Sequence, residues 1–115
     1  MPAGIVLFTL SLVISGCERA SAPASGANPT AGAALYAAHC ALCHGVNGDG
    51  QGVRRAFMDP PPANLTLPPW SRKENAARTF AAIRDGVRGT AMPPWPSLSD
   101  EQIADLVAYI QTFKR

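Results

Sequence analysis

A five-residue segment, Cys40-Ala41-Leu42-Cys43-His44, constrains this chain more than any other part of its sequence. It places two thiols and an imidazole within little more than one helical turn. Such segments occur as redox-active cysteine pairs, as halves of zinc sites and as sites of covalent haem attachment. These uses differ in what must surround the segment, so the neighbouring sequence decides among them.

The surroundings of the segment favour haem. A redox-active pair accompanies alternating strands and helices, and the sequence shows no strand alternation. A structural zinc ion needs four ligands, and the other histidine, His39, is badly placed beside Cys40 to close a tetrahedron. The spacing instead lets Cys40 and Cys43 each add to one vinyl group of haem, with His44 coordinating the iron.

The stretch after the segment, Gly45-Val46-Asn47-Gly48-Asp49-Gly50-Gln51-Gly52, is rich in glycine. Together with the preceding cysteines and histidine, it resembles the class I c-type cytochromes. This resemblance covers about residues 30–113. It implies an all-α class I cytochrome c fold, in which three main helices and loops surround one covalently bound haem c.

The second axial ligand of the iron is expected to be methionine, which is a common ligand in electron carriers. The segment Met92-Pro93-Pro94-Trp95 follows two glycines and resembles the ligand loop of the same family. The sequence therefore predicts Met92 as the ligand. Met58 is the rival, but it follows His44 closely in sequence. His39 is a third option, expected on the wrong side of the iron because it shares a helix with His44.

The run Pro60-Pro61-Pro62-Ala63 also resembles that family, in which a proline carbonyl accepts a hydrogen bond from the proximal imidazole. Such a bond orients the ring and raises its basicity. We expect Pro62 to fill this role. The alternative is that the run forms only a rigid surface turn.

Two helices are expected on either side of the proline run. The first should extend from about Thr30 to Cys43, with Asn28 as its cap. The second should begin near Ser71, because Ser71-Arg72-Lys73-Glu74 matches a capping box. Gly86 should end the second helix.

The third helix has the clearest pattern. Ser99-Asp100-Glu101-Gln102 matches a capping box, and Leu98 and Ile103 occupy the positions of a hydrophobic staple. An apolar stripe at helical spacing is expected to face the core, and consists of Ile103, Leu106, Val107 and Ile110. The family resemblance further implies that Gly32 and Tyr36 of the first helix meet Tyr109 of the last.

The N-terminus is expected to be a targeting segment. The apolar run Ile5–Ile14 is too short to span a bilayer, and Ile14-Ser15-Gly16-Cys17 resembles the lipobox of bacterial lipoproteins. We therefore expect a signal peptide at 1–16, a lipid on Cys17, a flexible linker at 17–29 and a cytochrome domain at 30–115. The chain would then be lipid-anchored on the periplasmic side of a membrane. Ordinary signal cleavage would instead leave it soluble in the periplasm.

The charge balance excludes one class of partner. The net charge is +2, too small for the concentrated basic face of a nucleic-acid-binding protein. With both axial positions filled, the expected function is one-electron transfer to and from redox proteins, without a small-molecule substrate or enzyme activity. The alternatives are a haem relay subunit of a larger respiratory or dehydrogenase complex, and a gas-binding or peroxidase haem with an open position.

Overall fold

The computed structural model describes residues 3–4 and 26–113. The α-helices in this part of the chain are α1 (Pro29–His39), α2 (Ala41–His44), α3 (Ala76–Asp85) and α4 (Asp100–Ile110). Short 3₁₀ turns occur at Arg55–Phe57, Lys73–Asn75 and Gln111–Phe113. Residues 26–113 contain no β-strand, as the expected all-α fold requires. Apart from residues 3–4, the predicted signal peptide lies outside the described residues, as do Cys17 and most of the predicted linker.

The crossing of α1 and α4 forms the base of the fold. Gly32 is buried at this crossing, and a Cβ atom there would overlap the backbone carbonyl of Asp105. The same hypothetical atom would lie 2.9 Å from Cβ of Tyr109. The backbone N–H of Asn28 also donates a 2.7 Å hydrogen bond to Oδ1 of Asp105. The close approach of the two helices therefore depends on a residue without a side chain.

Aromatic rings extend the contact between the two ends of the domain. The ring of Tyr36 lies 5.3 Å from that of Tyr109 and 5.2 Å from that of Phe113. Tyr36 is 2% exposed, and its hydroxyl donates a 2.6 Å hydrogen bond to the carbonyl of Gly45. Burial raises the pKa of this hydroxyl above its usual range, so it remains a donor. The predicted meeting of Gly32, Tyr36 and Tyr109 is confirmed.

The first helix is shorter than expected, because it is interrupted at Cys40. Cys40 has φ −117° and ψ −36° and separates α1 from α2. The N–H of Cys43 bonds to the Cys40 carbonyl at 3.2 Å, and that of His44 bonds to it at 2.9 Å. The chain is thus tightened into one extra turn, which carries Cys43 and His44.

The predicted start of the second helix is wrong. Ser71 is buried and its N–H donates to the carbonyl of Leu67, as part of a series of turns. The side chain of Asn75 donates to the Pro69 carbonyl in the same region. Because the backbone N–H of Ser71 already donates within these turns, no capping box forms there. The Lys73–Asn75 turn follows, and α3 begins at Ala76. Its predicted end is confirmed, since Gly86 is the C-terminal cap with φ 71°.

The last helix forms as predicted. The N–H of Gln102 donates to Oγ of Ser99 at 3.1 Å, and the N–H of Ser99 donates to Oε1 of Gln102 at 2.9 Å. This reciprocal pair is a capping box. The whole predicted apolar stripe is buried, and Ile103 and Leu106 are 0% exposed. Burial of each such side chain contributes roughly 1.5–3 kcal/mol.

A substitution at the crossing can be tested, because helix propensity and packing should change the free energy of unfolding in opposite directions. Replacing Gly32 with Ala should stabilise an isolated helix by about 1 kcal/mol. In the fold, the new Cβ overlaps α4, so we expect a net loss of about 1–3 kcal/mol. Chemical unfolding of the intact purified protein, followed by circular dichroism, measures the change. Ala34→Gly, at an exposed α1 position, calibrates propensity in the same helix. A Gly32→Ala variant more stable than wild type would refute the close crossing.

Candidate functional site

A cavity of about 800 Å³ opens among the four helices and the loops that join them. This volume is in the range of small-molecule and cofactor sites. Cys40, Cys43, His44 and Met92, the site residues predicted from the sequence, all line it. The structure therefore brings the four residues to a single cavity, although Met92 is distant from the others along the chain.

The walls of the cavity are mainly apolar. Its floor includes Leu65, Ile83 and Ile110, which belong to the buried core. Arg54 is the one Lys, Arg, Asp or Glu side chain among the lining residues that the structure describes. Its backbone N–H donates to the carbonyl of Leu42 at 2.9 Å, so the loop that carries this charge is tied to α2. A large apolar group with few charges fits such a lining.

The two cysteines are thiols in different surroundings. Cys40 is 9% exposed and belongs to the core, whereas Cys43 is half-buried. No disulfide joins them. Desolvation, followed by the proximity of Cys43, raises the pKa of Cys40 to about 12. Cys40 is therefore held as a protonated thiol at neutral pH.

The imidazole of His44 is held at one nitrogen and free at the other. Nδ1 lies 3.0 Å from the carbonyl oxygen of Ala63. Because a carbonyl can only accept, Nδ1 carries the proton in this bond. Burial lowers the pKa of His44 and favours the neutral ring, although the Ala63 bond opposes this shift. Nε2 of the neutral ring consequently keeps a lone pair that can bind a metal ion.

The partner of His44 differs from the one expected. The carbonyl of Ala63 accepts the hydrogen bond, and Pro62, which was expected to do so, does not. The Pro62 carbonyl lies 2.9 Å from a hypothetical Cβ on Gly50, and thus faces the glycine-rich loop. The sequence thus predicted the correct segment for the hydrogen-bond partner of His44 but the wrong residue within it. Which carbonyl faces the imidazole depends on how the loop packs.

The glycine-rich loop is fastened to α2 and to the segment that holds Ala63. The N–H of Gly50 donates to the His44 carbonyl at 2.8 Å, and that of Leu65 donates to Gly48 at 2.6 Å. Gly52 packs so closely that a Cβ atom would overlap the carbonyls of Leu42 and Cys43. This side of the cavity is therefore fixed by backbone contacts.

Met92 reaches the cavity from a separate loop. Its carbonyl accepts a 3.2 Å bond from the N–H of Val87, and its own N–H donates to Oγ1 of Thr90 at 3.1 Å. Gly86 permits this turn, since a Cβ there would lie 2.8 Å from the nitrogen of Pro94. Met92 is half-buried and packs against the core. Its loop is thus closed by its own hydrogen bonds.

The two other candidate ligands also border the cavity. Met58 lies at its wall, in extended backbone after the Arg55–Phe57 turn, and is half-buried. His39 ends α1 and is exposed, with its ring 5.0 Å from that of Trp95. The cavity lining alone does not separate Met58 from Met92. Their loops differ in degree: the backbone of Met58 makes one bond, from its N–H to the carbonyl of Arg55 at 3.1 Å, whereas both the N–H and the carbonyl of Met92 are hydrogen-bonded within its loop.

The donor set fits a covalently held haem. Two thiols, an imidazole nitrogen and methionine sulfur border an apolar cavity of suitable size. By contrast, no cluster of three or more His, Cys, Asp or Glu within residues 26–113 could hold a metal ion without a further group. A second cavity of about 460 Å³ has no such donor set; its lining includes Thr66, Ser71, Arg72, Lys73 and Glu74.

Sequence comparison places the chain in a family. The profile described as "Cytochrome C oxidase, cbb3-type, subunit III" matches residues 27–110. The chain belongs to this family. Membership of this cytochrome c family implies haem c as the cofactor, and the predicted resemblance to c-type cytochromes is confirmed at this level.

Two curated members of the cbb3-type family are similar to the chain. It is 38% identical over 95 residues to the cbb3-type cytochrome c oxidase subunit FixP of Azorhizobium caulinodans, covering 80% of this chain and 30% of FixP. It is 31% identical over 98 residues to subunit CcoP of Rhodobacter capsulatus, covering 78% of this chain and 31% of CcoP. The chain thus matches less than a third of the length of either relative.

Solved structures confirm the fold. The chain resembles one in the Kuenenia stuttgartiensis reducing HAO-like protein complex Kustc0457/Kustc0458, with a TM-score of 0.63 and 30% identity, over 73% of this chain and 41% of that one. It also resembles the KustC0563 c-type cytochrome, with a TM-score of 0.60 and 27% identity, over 73% and 98%. Within the described residues, no helix has the length and apolar character needed to cross a membrane.

The packing of Gly52 can be tested by adding one methyl group. Gly52→Ala places a Cβ against the carbonyls of Leu42 and Cys43, which cannot move without disturbing the bonds that fasten α2. We expect a loss of roughly 2–4 kcal/mol in the free energy of unfolding. Gln51→Ala, at the exposed neighbouring position, should change it by less than about 0.5 kcal/mol. Equal stabilities of the two variants would contradict this account of the loop.

Proposed function

We propose that this chain is a one-electron carrier that holds a single haem c in the cavity lined by Cys40, Cys43, His44 and Met92. The convergence of these four side chains on one mainly apolar cavity is the observation that carries the proposal. A bound haem would supply an iron whose ferric and ferrous forms differ by one electron. The residues of the chain attach this group, ligate its iron and shield it from water.

Cys40 and Cys43 are the proposed attachment points. Their thiols are not joined to each other, and their spacing matches the C-x-x-C-H pattern of covalent haem attachment. The core position of Cys40 and the extra turn that carries Cys43 would limit the movement of the attached group. Covalent attachment at two points would keep the haem in a small domain with a limited core.

His44 and Met92 are the proposed axial ligands. The bond from Nδ1 of His44 to Ala63 supports this role, because it orients the ring and raises the basicity of the free nitrogen. The hydrogen bonds that close the Met92 loop support methionine as the second ligand. Methionine sulfur favours ferrous iron and so raises the reduction potential. With both axial positions filled, the chain would have no open site for a substrate, and we propose no enzyme activity for it.

A second candidate function is that of a relay subunit in a larger respiratory complex. The names of the relatives favour it, since FixP and CcoP are subunits of cbb3-type cytochrome c oxidases and one structural neighbour belongs to an HAO-like complex. The same cavity serves both functions. The two differ in whether the partners of the chain associate briefly or remain bound.

The proposed location is the periplasmic side of a bacterial membrane. The lipobox-like Ile14-Ser15-Gly16-Cys17 supports a lipid on Cys17 after removal of residues 1–16. Residues 17–29, rich in Ala, Ser and Pro, would then connect the lipid to a cytochrome domain at 30–115. Such a tether would keep the domain near membrane-bound redox partners without a spanning helix.

A redox titration with added carbon monoxide tests the proposed function. The purified holoprotein should titrate as a single one-electron couple, and its reduced form should not bind carbon monoxide, because both axial positions are filled. Binding in stoichiometric amount would indicate an open position and overturn the carrier proposal. Purification from native membranes in mild detergent then separates the two candidates. A stable association with a larger complex supports the relay, whereas a free holoprotein supports the mobile carrier.

A further inference from the structure

The two parts of the proposed ligand site are fastened in different ways. The part with Cys40, Cys43 and His44 is joined to the glycine-rich loop and to Ala63 by backbone and side-chain hydrogen bonds. The described hydrogen bonds of the Met92 loop join Val87, Thr90 and Met92 to one another, and Leu98 to Trp95. Within residues 26–113, none of them crosses to the part that holds His44.

An aromatic contact bridges these two parts at the cavity. The ring of His39 lies 5.0 Å from the ring of Trp95, with an angle of 56° between their planes. His39 is the last residue of α1 and directly precedes Cys40. Trp95 follows Met92 by three positions and packs against the core. Both residues line the cavity, so their contact lies at its wall.

We propose that His39 is a positioning residue that ties the Met92 loop to the end of α1 through its ring contact with Trp95. The proposal rests on the proposed role of Met92 as an axial ligand. His39 does not itself ligate the iron in this account. Its ring limits excursions of the loop that would carry Met92 away from the cavity wall.

The structure also distinguishes this role from general stabilisation of α1. The side chain of His39 is exposed, so its removal leaves no buried void. Alanine is a better helix former than histidine, so His39→Ala does not weaken α1 through propensity. Tilted ring pairs at this separation contribute a small but measurable attraction. Loss of His39 should therefore act locally, on the Met92 loop, with little effect on global unfolding.

Binding of cyanide to the ferric holoprotein measures this local opening under native conditions, because cyanide can reach the iron only when the methionine ligand has left. We expect the apparent cyanide affinity of His39→Ala to rise about two- to tenfold, as loss of one ring contact predicts. His39→Phe keeps a flat ring and should bind cyanide as weakly as wild type. The unfolding midpoint of all three proteins should be nearly the same.

Ala37→Gly is the matched control. It weakens α1 at an exposed position two residues before His39, and it should lower global stability by about 1 kcal/mol. Because it leaves the ring contact intact, it should not change cyanide affinity. If His39→Ala binds cyanide no better than wild type, or if Ala37→Gly shows the same gain, the positioning role is refuted.

Met92→Ala separates failure of this inference from failure of the proposed function. If Met92 is the ligand, Met92→Ala binds cyanide far more tightly than wild type. When that result holds and His39→Ala still behaves as wild type, only the positioning role is overturned. When Met92→Ala itself behaves as wild type, Met92 is not the ligand, and both proposals fail. If the positioning role holds, a His39→Ala/Trp95→Leu double variant should bind cyanide no more tightly than Trp95→Leu alone, since both changes remove the same ring contact.

Discussion

The close crossing of α1 and α4 is the constraint on which the rest of the structure depends. It requires a residue without a side chain at Gly32, because a Cβ there would overlap the backbone of Asp105. The crossing places Tyr36 where its hydroxyl reaches the carbonyl of Gly45, directly after His44. The packing of α1 against α4 thereby fixes the backbone directly after His44.

From this base, the chain builds a cavity whose two parts are held by different sets of hydrogen bonds. Backbone contacts around Gly50 and Gly52 and the bond from His44 to Ala63 hold the part that carries the cysteines. The Met92 loop is closed mainly on itself and meets the other part through side chains. Such an arrangement suits a cofactor attached covalently on one side and ligated reversibly on the other. If His44 and Met92 ligate the iron as proposed, such a carrier would need little rearrangement between oxidation states, because both side chains already line the cavity.

Local sequence patterns predicted two helix ends, which are determined by residues close together in the chain. The Ser99 capping box and the Gly86 stop are of this kind, and both are confirmed. The predicted box at Ser71 did not form, because the N–H of Ser71 already donates to the carbonyl of Leu67 in a competing local turn. The partner of His44 was misplaced by one position, from Ala63 to Pro62, because carbonyl direction depends on the packing of a whole loop. Four lining residues, Cys40, Cys43, His44 and Met92, could be predicted, since the attachment pattern is local and the glycines and prolines of the Met92 loop resemble the family's ligand loop. The other lining residues come together only through the tertiary fold, and no local pattern marks them.

The identity of the second axial ligand is the central claim, and near-infrared absorption of the oxidised holoprotein tests it most directly. A weak band at the red end of the spectrum reports charge transfer from methionine sulfur to iron. Our account predicts this band in wild type and in Met58→Ala, and its loss in Met92→Ala. Survival of the band in Met92→Ala, together with its loss in Met58→Ala, would assign the ligand to Met58 and contradict the account.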